Sequence, residues 1–200
     1  MFIVDESWSV RPEGFEDVKQ FLLKLAHNFD VGPKNTQFAA VQYSGKPRPS
    51  FYFQDIKTRK DLKNAIKRMQ YQGGNTATGA AIDFARTNTF STRLGSRKNA
   101  KKVAIIITDG ESLQDDVGPP AKRMKADDIQ IFCIGIGDAV NQNELELMAS
   151  DPKDEHIFHV DNFDTIVEIE REILRDVCSV TRKYPQIKWK RTRKHPCQNY

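Results

Sequence analysis

Cysteine is scarce: Cys133, Cys178 and Cys197 are the only three in 200 residues. That is too few for a disulfide scaffold, and their separations fit no zinc-binding spacing. Because the number is odd, at least one thiol is free or paired outside the chain. Long apolar runs are missing too. The longest, Val103–Ile107, is far short of the roughly 20 residues that span a bilayer, so no membrane span is expected. Asp5 follows "MFIV" with no basic or extended apolar stretch before it, so no signal peptide is expected within this sequence. The histidines His27, His156, His159 and His195 share no ligand spacing and are expected at the surface or in loops.

A basic body is also absent. The net charge of +4 arises at one end, where residues 181–200 hold seven Lys/Arg and no acid. Residues 1–180 hold 24 Lys/Arg against 27 Asp/Glu, which argues against a nucleic-acid groove in the folded part. What is present is ordinary for a globular chain, at 38% hydrophobic and 10% aromatic residues. A chain of this size buries roughly 70% of its unfolded surface, so its core needs no staple and any bound metal serves function.

Short apolar β-rich runs alternate with stretches of helical period, the pattern of an α/β fold. "MFIV" is the first strand. Phe15, Val18, Leu22, Leu25 and Phe29 recur every three or four residues, predicting a helix that Gly32 and Pro33 end. Strands are predicted at 36–44 and 50–54. The five residues "GKPRP" between them suit a hairpin, which makes one of the pair antiparallel at an edge. A helix over 58–69 has Thr58 as its N-cap, and another is predicted from about Thr78 to Thr89. "KVAIIIT" (102–108) is apolar on both faces, as a central strand covered by helices must be. Strand 129–137, helix "NQNELELMAS", strand 157–160 and helix 163–177 follow. The expectation is one doubly wound, mostly parallel six-stranded sheet with helices on both faces, occupying residues 1–179. A basic tail or linker over 180–200 is expected to be disordered.

The first strand and "KVAIIIT" each run into an aspartate, Asp5 and Asp109. If they are neighbours where strand order reverses, the two carboxylates face each other across the crevice in which such sheets bind ligands. Like charges so placed require a proton or a cation between them. Ser7 and Ser9 alternate with Asp5, and "QGGNTATG" supplies Thr76 beside two glycines. Hydroxyls, carboxylates and water form the donor set of a hard cation, Mg²⁺ first, with Mn²⁺ or Ca²⁺ behind it.

Asp5-x-Ser7-x-Ser9, Thr76 in "GGNTATG" and Asp109 in "IIITDGES" resemble the metal-ion-dependent adhesion site of a von Willebrand factor type A domain. The likeness covers nearly all of residues 1–178. It implies that Ser7, Ser9 and Thr76 bind the ion through hydroxyls and that Asp5 and Asp109 act directly or through water. An acidic residue of a partner would fill an open position. "IGIGDAVNQNEL" passes directly from strand to helix, without the extra helix of collagen-binding integrin domains. The chain is thus more similar to the A domains of matrix proteins such as fibril-associated collagens, matrilins and cochlin. The resemblance implies a non-enzymatic, secreted adhesion module of the extracellular matrix whose partner is a matrix or cell-surface protein. It also implies that Cys178 pairs with a cysteine upstream of the first strand, so the N-terminus is expected to be truncated.

Two alternatives compete. A haloacid dehalogenase-like phosphoryl hydrolase also places an aspartate after the first strand and a hydroxyl, here Thr108, after a later one. It needs a second acid where Ser7 stands. A structural spacer that does not use its metal for binding is the other. Glu6 and Glu111 are expected as solvated loop acids, Trp8 as a packed rim residue and Cys133 as a buried inert thiol. "GIGDAV" lacks the third glycine of a phosphate loop and is expected only to close a strand. Arg182, Lys183, Lys188, Lys190, Arg191, Arg193 and Lys194, with Trp189 among them, form a candidate polyanion site, for instance for heparan sulfate.

Overall fold

The computed structural model describes residues 1–167 and 169–182. Six strands form one sheet: β1 (Phe2–Asp5), β2 (Ala40–Tyr43), β3 (Pro47–Phe51), β4 (Lys102–Thr108), β5 (Ile129–Ile136) and β6 (Ile157–Val160). Their order is β3-β2-β1-β4-β5-β6, with every pairing parallel except β2–β3. Strand order therefore reverses between β1 and β4, as the sequence argument required. Helices α1 (Arg11–His27), α2 (Arg59–Lys67), α3 (Thr78–Phe84), α4 (Gly118–Ala126), α5 (Gln142–Met148) and α6 (Glu170–Arg182) cover both faces.

Alternation along the central strands divides the core in two. Phe2, Val4, Ile105, Ile107, Phe132 and Ile134 point to the side covered by α1, α2 and α6, against Phe15, Leu22, Leu62 and Leu174. Ile3, Ala104, Ile106, Ile131 and Cys133 point to the side of α3, α4 and α5, against Ile82, Met124 and Leu145. Both faces are dry, which is why these strands read as continuous apolar runs. Burial pushes the Cys133 thiol up to about 12, so it is inert as expected.

Several boundaries differ from expectation. The hairpin turn is confined to Ser44–Lys46, and Pro47 and Pro49 lie inside β3 rather than in the turn. Proline lacks an N–H, and β3 is an edge strand, where a missing ladder donor faces no partner. The third helix ends at Phe84 and continues as one π-helical turn, Ala85–Thr89. The last helical stretch splits into a 3₁₀ turn, Phe163–Thr165, and α6, which runs on to Arg182. His156 lies in the turn before β6, as a loop residue should, but it is not at the surface. It is 3% exposed, stacks on Phe132, and holds the Pro152 carbonyl and the Gln130 side chain through its two ring nitrogens. The Cys178 side chain, Cys197 and the tail cations beyond Arg182 lie outside what the structure describes, as does the Arg182 side chain.

Candidate metal centre

Asp5, Ser7, Ser9 and Asp109 are joined by hydrogen bonds at the carboxyl ends of β1 and β4, and Thr76 lies on a loop tied to both segments. Asp5 ends β1 and is buried; its Oδ1 accepts the Ser7 backbone N–H at 2.8 Å, and its Oδ2 accepts the Thr108 hydroxyl at 2.8 Å. That short N–H bond holds the chain in a tight turn after the strand. Ser7 and Ser9 then come together, Oγ to Oγ at 3.0 Å, and Ser9 Oγ donates to Asp109 Oδ1 at 2.8 Å. Thr76 is buried in the second loop, where its carbonyl accepts the Leu113 N–H at 3.0 Å. The first loop reaches the same segment through Trp8 N–H to the Gly74 carbonyl, 3.0 Å. Loop two is thus laced to loop one at Gly74 and to loop three at Thr76.

Glycines permit this approach. Gly73 and Gly74 have φ of +74° and +125°, and a Cβ on Gly73 would lie 2.4 Å from the Trp8 ring. Trp8 is 70% exposed, so it is not the packed rim residue expected: its ring rests on Gly73 with most of its surface open.

Burial pushes the Asp5 carboxyl up to about 6, against the opposing bonds from Ser7 and Thr108 and with a further push from Asp109. Burial raises Asp109 as well, opposed by the Ser9 hydroxyl. Among the described residues, no Lys or Arg forms an ion pair with either carboxylate. Two buried like charges, with hydroxyl oxygens drawn between them and no side-chain cation, are the donor chemistry a hard divalent ion fits. No group of three His, Cys, Asp or Glu side chains that could hold a metal occurs among the described residues, at this centre or elsewhere.

This geometry sets the pH response of the metal-free domain. The Asp5 carboxyl is raised on folding from 3.8 to about 6, so between those values the native state holds more protons than the unfolded one. The contribution of Asp5 to stability is therefore fully present below the lower value and is lost as pH rises through the upper, by on the order of 3 kcal/mol for a two-unit shift. Urea unfolding in chelator from pH 4 to 7 should show that fall in the wild type and a smaller one in Asp5→Asn. Parallel profiles for the two proteins would refute it.

Several supporting residues carried no sequence signal. Tyr43, whose hydroxyl burial pushes well above its usual range, pairs in register with Asp5 on the neighbouring strand and accepts the Thr78 hydroxyl at 3.3 Å. Asp115 accepts the Gly79 N–H at 2.9 Å and the Ser112 hydroxyl at 2.6 Å, fastening loop three to the start of α3. Ser112 N–H in turn donates to Glu144 at 2.9 Å. Glu6 overturns its expectation outright. It is 1% exposed, and its carboxylate accepts Arg48 Nε at 2.9 Å, Arg48 Nη2 at 2.7 Å and Gln42 Nε2 at 2.7 Å. This acid, on the short loop after a central strand, faces back over β2, where Gln42 of β2 and Arg48 of β3 meet it. Glu111 stays at the surface beside Asn141.

Comparison with known proteins gives concordant matches. Residues 1–172 match the family model for the von Willebrand factor type A domain. Collagen alpha-1(XII) chain of Notophthalmus viridescens is 37% identical over 90% of this chain and 19% of its own length. Matrilin-1 of Homo sapiens is 39% identical over 89% of this chain and 36% of its own, and vitrin of Mus musculus 37% over 92% and 28%. The chain thus spans about a third or less of the length of these curated relatives. A structure of proximal thread matrix protein 1 from the mussel byssus, described with a zinc-occupied MIDAS motif, superposes with a TM-score of 0.82 at 28% identity. That match covers 88% of this chain and 47% of the mussel chain.

Proposed function

Because the chain belongs to the von Willebrand factor type A family, we propose that it is a non-enzymatic, metal-dependent protein-binding module of the extracellular matrix. The ion is held by the hydroxyls of Ser7, Ser9 and Thr76 and by the carboxylates of Asp5 and Asp109. The observation that carries this reading is the Ser7–Ser9–Asp109 hydrogen-bond chain beside Asp5 at the point where strand order reverses. Mg²⁺ suits the all-oxygen set, with Mn²⁺ or Ca²⁺ behind it; the mussel protein's zinc supports a divalent ion at this position of the fold. When bound, the cation supplies a coordination position for a carboxylate oxygen of a matrix or cell-surface partner.

The chain's own residues do the rest. Thr108 and the Ser7 N–H hold Asp5 in one orientation, Asp109 holds Ser9, and the loop-two glycines let the loop that carries Thr76 pack against Trp8 and Ser44. The domain is assigned to residues 1–179, and the cations of residues 180–200 to a linker with weak affinity for heparan sulfate. Matrix relatives support an extracellular location; among the described residues no helix is long and apolar enough to cross a membrane. The hydrolase alternative has no support. Ser7 stands where an acid would be needed, and its Oγ lies 3.0 Å from that of Ser9.

Retention of the chain on immobilised tissue matrix tests the proposal. Retention in Mg²⁺ should fall about tenfold or more in chelator, and equally when the matrix carboxyls are amidated beforehand. Retention unchanged by both treatments would leave the domain a spacer.

A further inference from the structure

The average charge of residues 1–180 hides a strong asymmetry. Residues 1–100 hold 16 Lys/Arg against 9 Asp/Glu, whereas residues 101–180 hold 8 against 18. Strands β1 to β3 build one side of the sheet and β4 to β6 the other, so an asymmetry along the chain becomes one across the molecule. It peaks at residues 57–68, with six Lys/Arg and one acid. That acid, Asp61, is engaged in the capping box with Thr58.

Helix α2 turns Leu62, Ala65 and Ile66 into the core, so its cations all face outward. Lys60, Lys63 and Lys67 are exposed at helical spacing, and among the described residues none of them forms an ion pair. Beside them a cleft of about 390 Å³ opens between α2 and β3, lined in part by Arg68, Asn64 and Ser50, by Arg48, whose guanidinium is held by Glu6, and by the acids Asp55 and Asp61, both engaged in caps. Exposed Arg93 stands on the neighbouring turn, which Gly95 seats against the backbone of Gln54. None of the five metal-centre residues lines this cleft.

We infer that the β3–α2 edge, with the open cations of its helix and Arg68 at the adjoining cleft, binds a sulfated linear polysaccharide independently of both the metal centre and the basic tail. Extended polyanions gain from closely spaced cations through counterion release. Three other occupants fit less well. Pro47 and Pro49 remove ladder donors from β3, so a peptide cannot add as a strand. Single-stranded nucleic acid needs exposed aromatic platforms, but Phe51 and Phe53 on this edge are buried. A membrane surface needs apolar side chains to insert, and the exposed large ones, Trp8, Leu113 and Leu147, come from other segments.

Heparin-column elution of the full chain and three full-length variants tests this. Lys63→Gln with Lys67→Gln should elute at clearly lower salt. Its plot of log affinity against log salt should be shallower by about 1.5, since each lost contact removes about 0.7–0.9. Lys122→Gln with Arg171→Gln removes the same charge from exposed positions in the acidic half and should elute with the wild type. Arg191→Gln with Arg193→Gln should leave the α2 effect intact. Desulfated heparin should not compete, and chelator should change nothing. The inference is overturned if the α2 variant elutes with the wild type, if the acidic-half variant shifts as far, or if chelator abolishes retention. Single-stranded DNA or phosphatidylserine vesicles competing better than heparin at equal charge would also overturn it, in favour of those ligands.

Discussion

Asp109→Ala is expected to reduce Mg²⁺ affinity by more than about a hundredfold, leaving no measurable heat in a calorimetric titration that gives a clear isotherm for the wild type. The loss exceeds that of an ordinary ligand because Asp109 does two things. It supplies a carboxylate, and its Oδ1 holds Ser9 Oγ at 2.8 Å, which in turn keeps Ser7 Oγ within 3.0 Å. Removing even an outer partner of a metal ligand typically costs 10–100-fold, so removing both roles at once costs more. The metal-free variant should be no less stable than the wild type, because one of two buried like charges has gone. Glu111→Ala, a surface acid one residue past Gly110, should titrate like the wild type. Equal heats for wild type and Asp109→Ala would refute the assignment of the five residues.

Arg48→Met carries the second large effect, on stability. Arg48 is the cationic side chain on Glu6, whose carboxylate is 1% exposed. Stranding a buried charge costs roughly 3–5 kcal/mol. Arg48 itself remains 31% exposed, so water can partly replace it and the loss should fall at the lower end of that range. Pairing the change with Glu6→Gln should recover most of it, because Gln42 Nε2 can still donate to a neutral carbonyl at this position. Arg48 Nη2 also donates to the Gln70 carbonyl at 2.6 Å, at the entry to the loop that carries Thr76. The single variant should therefore weaken Mg²⁺ binding along with stability, and the double variant should recover stability more fully than metal affinity. Denaturant midpoints and calorimetry on the three proteins measure both. A single variant as stable as the wild type would show that the pair between Arg48 and buried Glu6 does not support the fold.

Asp5, Ser7 and Ser9 were legible because they lie within five residues and the turn that gathers them is closed by its own Ser7 N–H. Asp109 was legible because β4 is the most continuously apolar run and its end could be read directly. Glu6 was misread by the same local logic, since a loop acid with no nearby cation in sequence looks solvated. Its partner lies 42 residues away on the edge strand. The burial of His156, on its turn, was hidden likewise: Gln130, which completes its bonding, is 26 residues distant on β5.

What the sequence determined by itself was whatever depends on near neighbours. The 2.0 and 3.6 periods place the strands and helices, two-sided apolarity marks β4 and β5 as interior, and the Thr58 capping box starts α2. Tertiary structure alone decided which charges are paired and which are left open. Strand order brings Arg48 onto Glu6 while leaving Lys60, Lys63 and Lys67 without an ion pair among the described residues. A charge's energy depends on its burial and on the nearest opposite charge, and both are properties of distance in space, which a one-dimensional average over the chain erases.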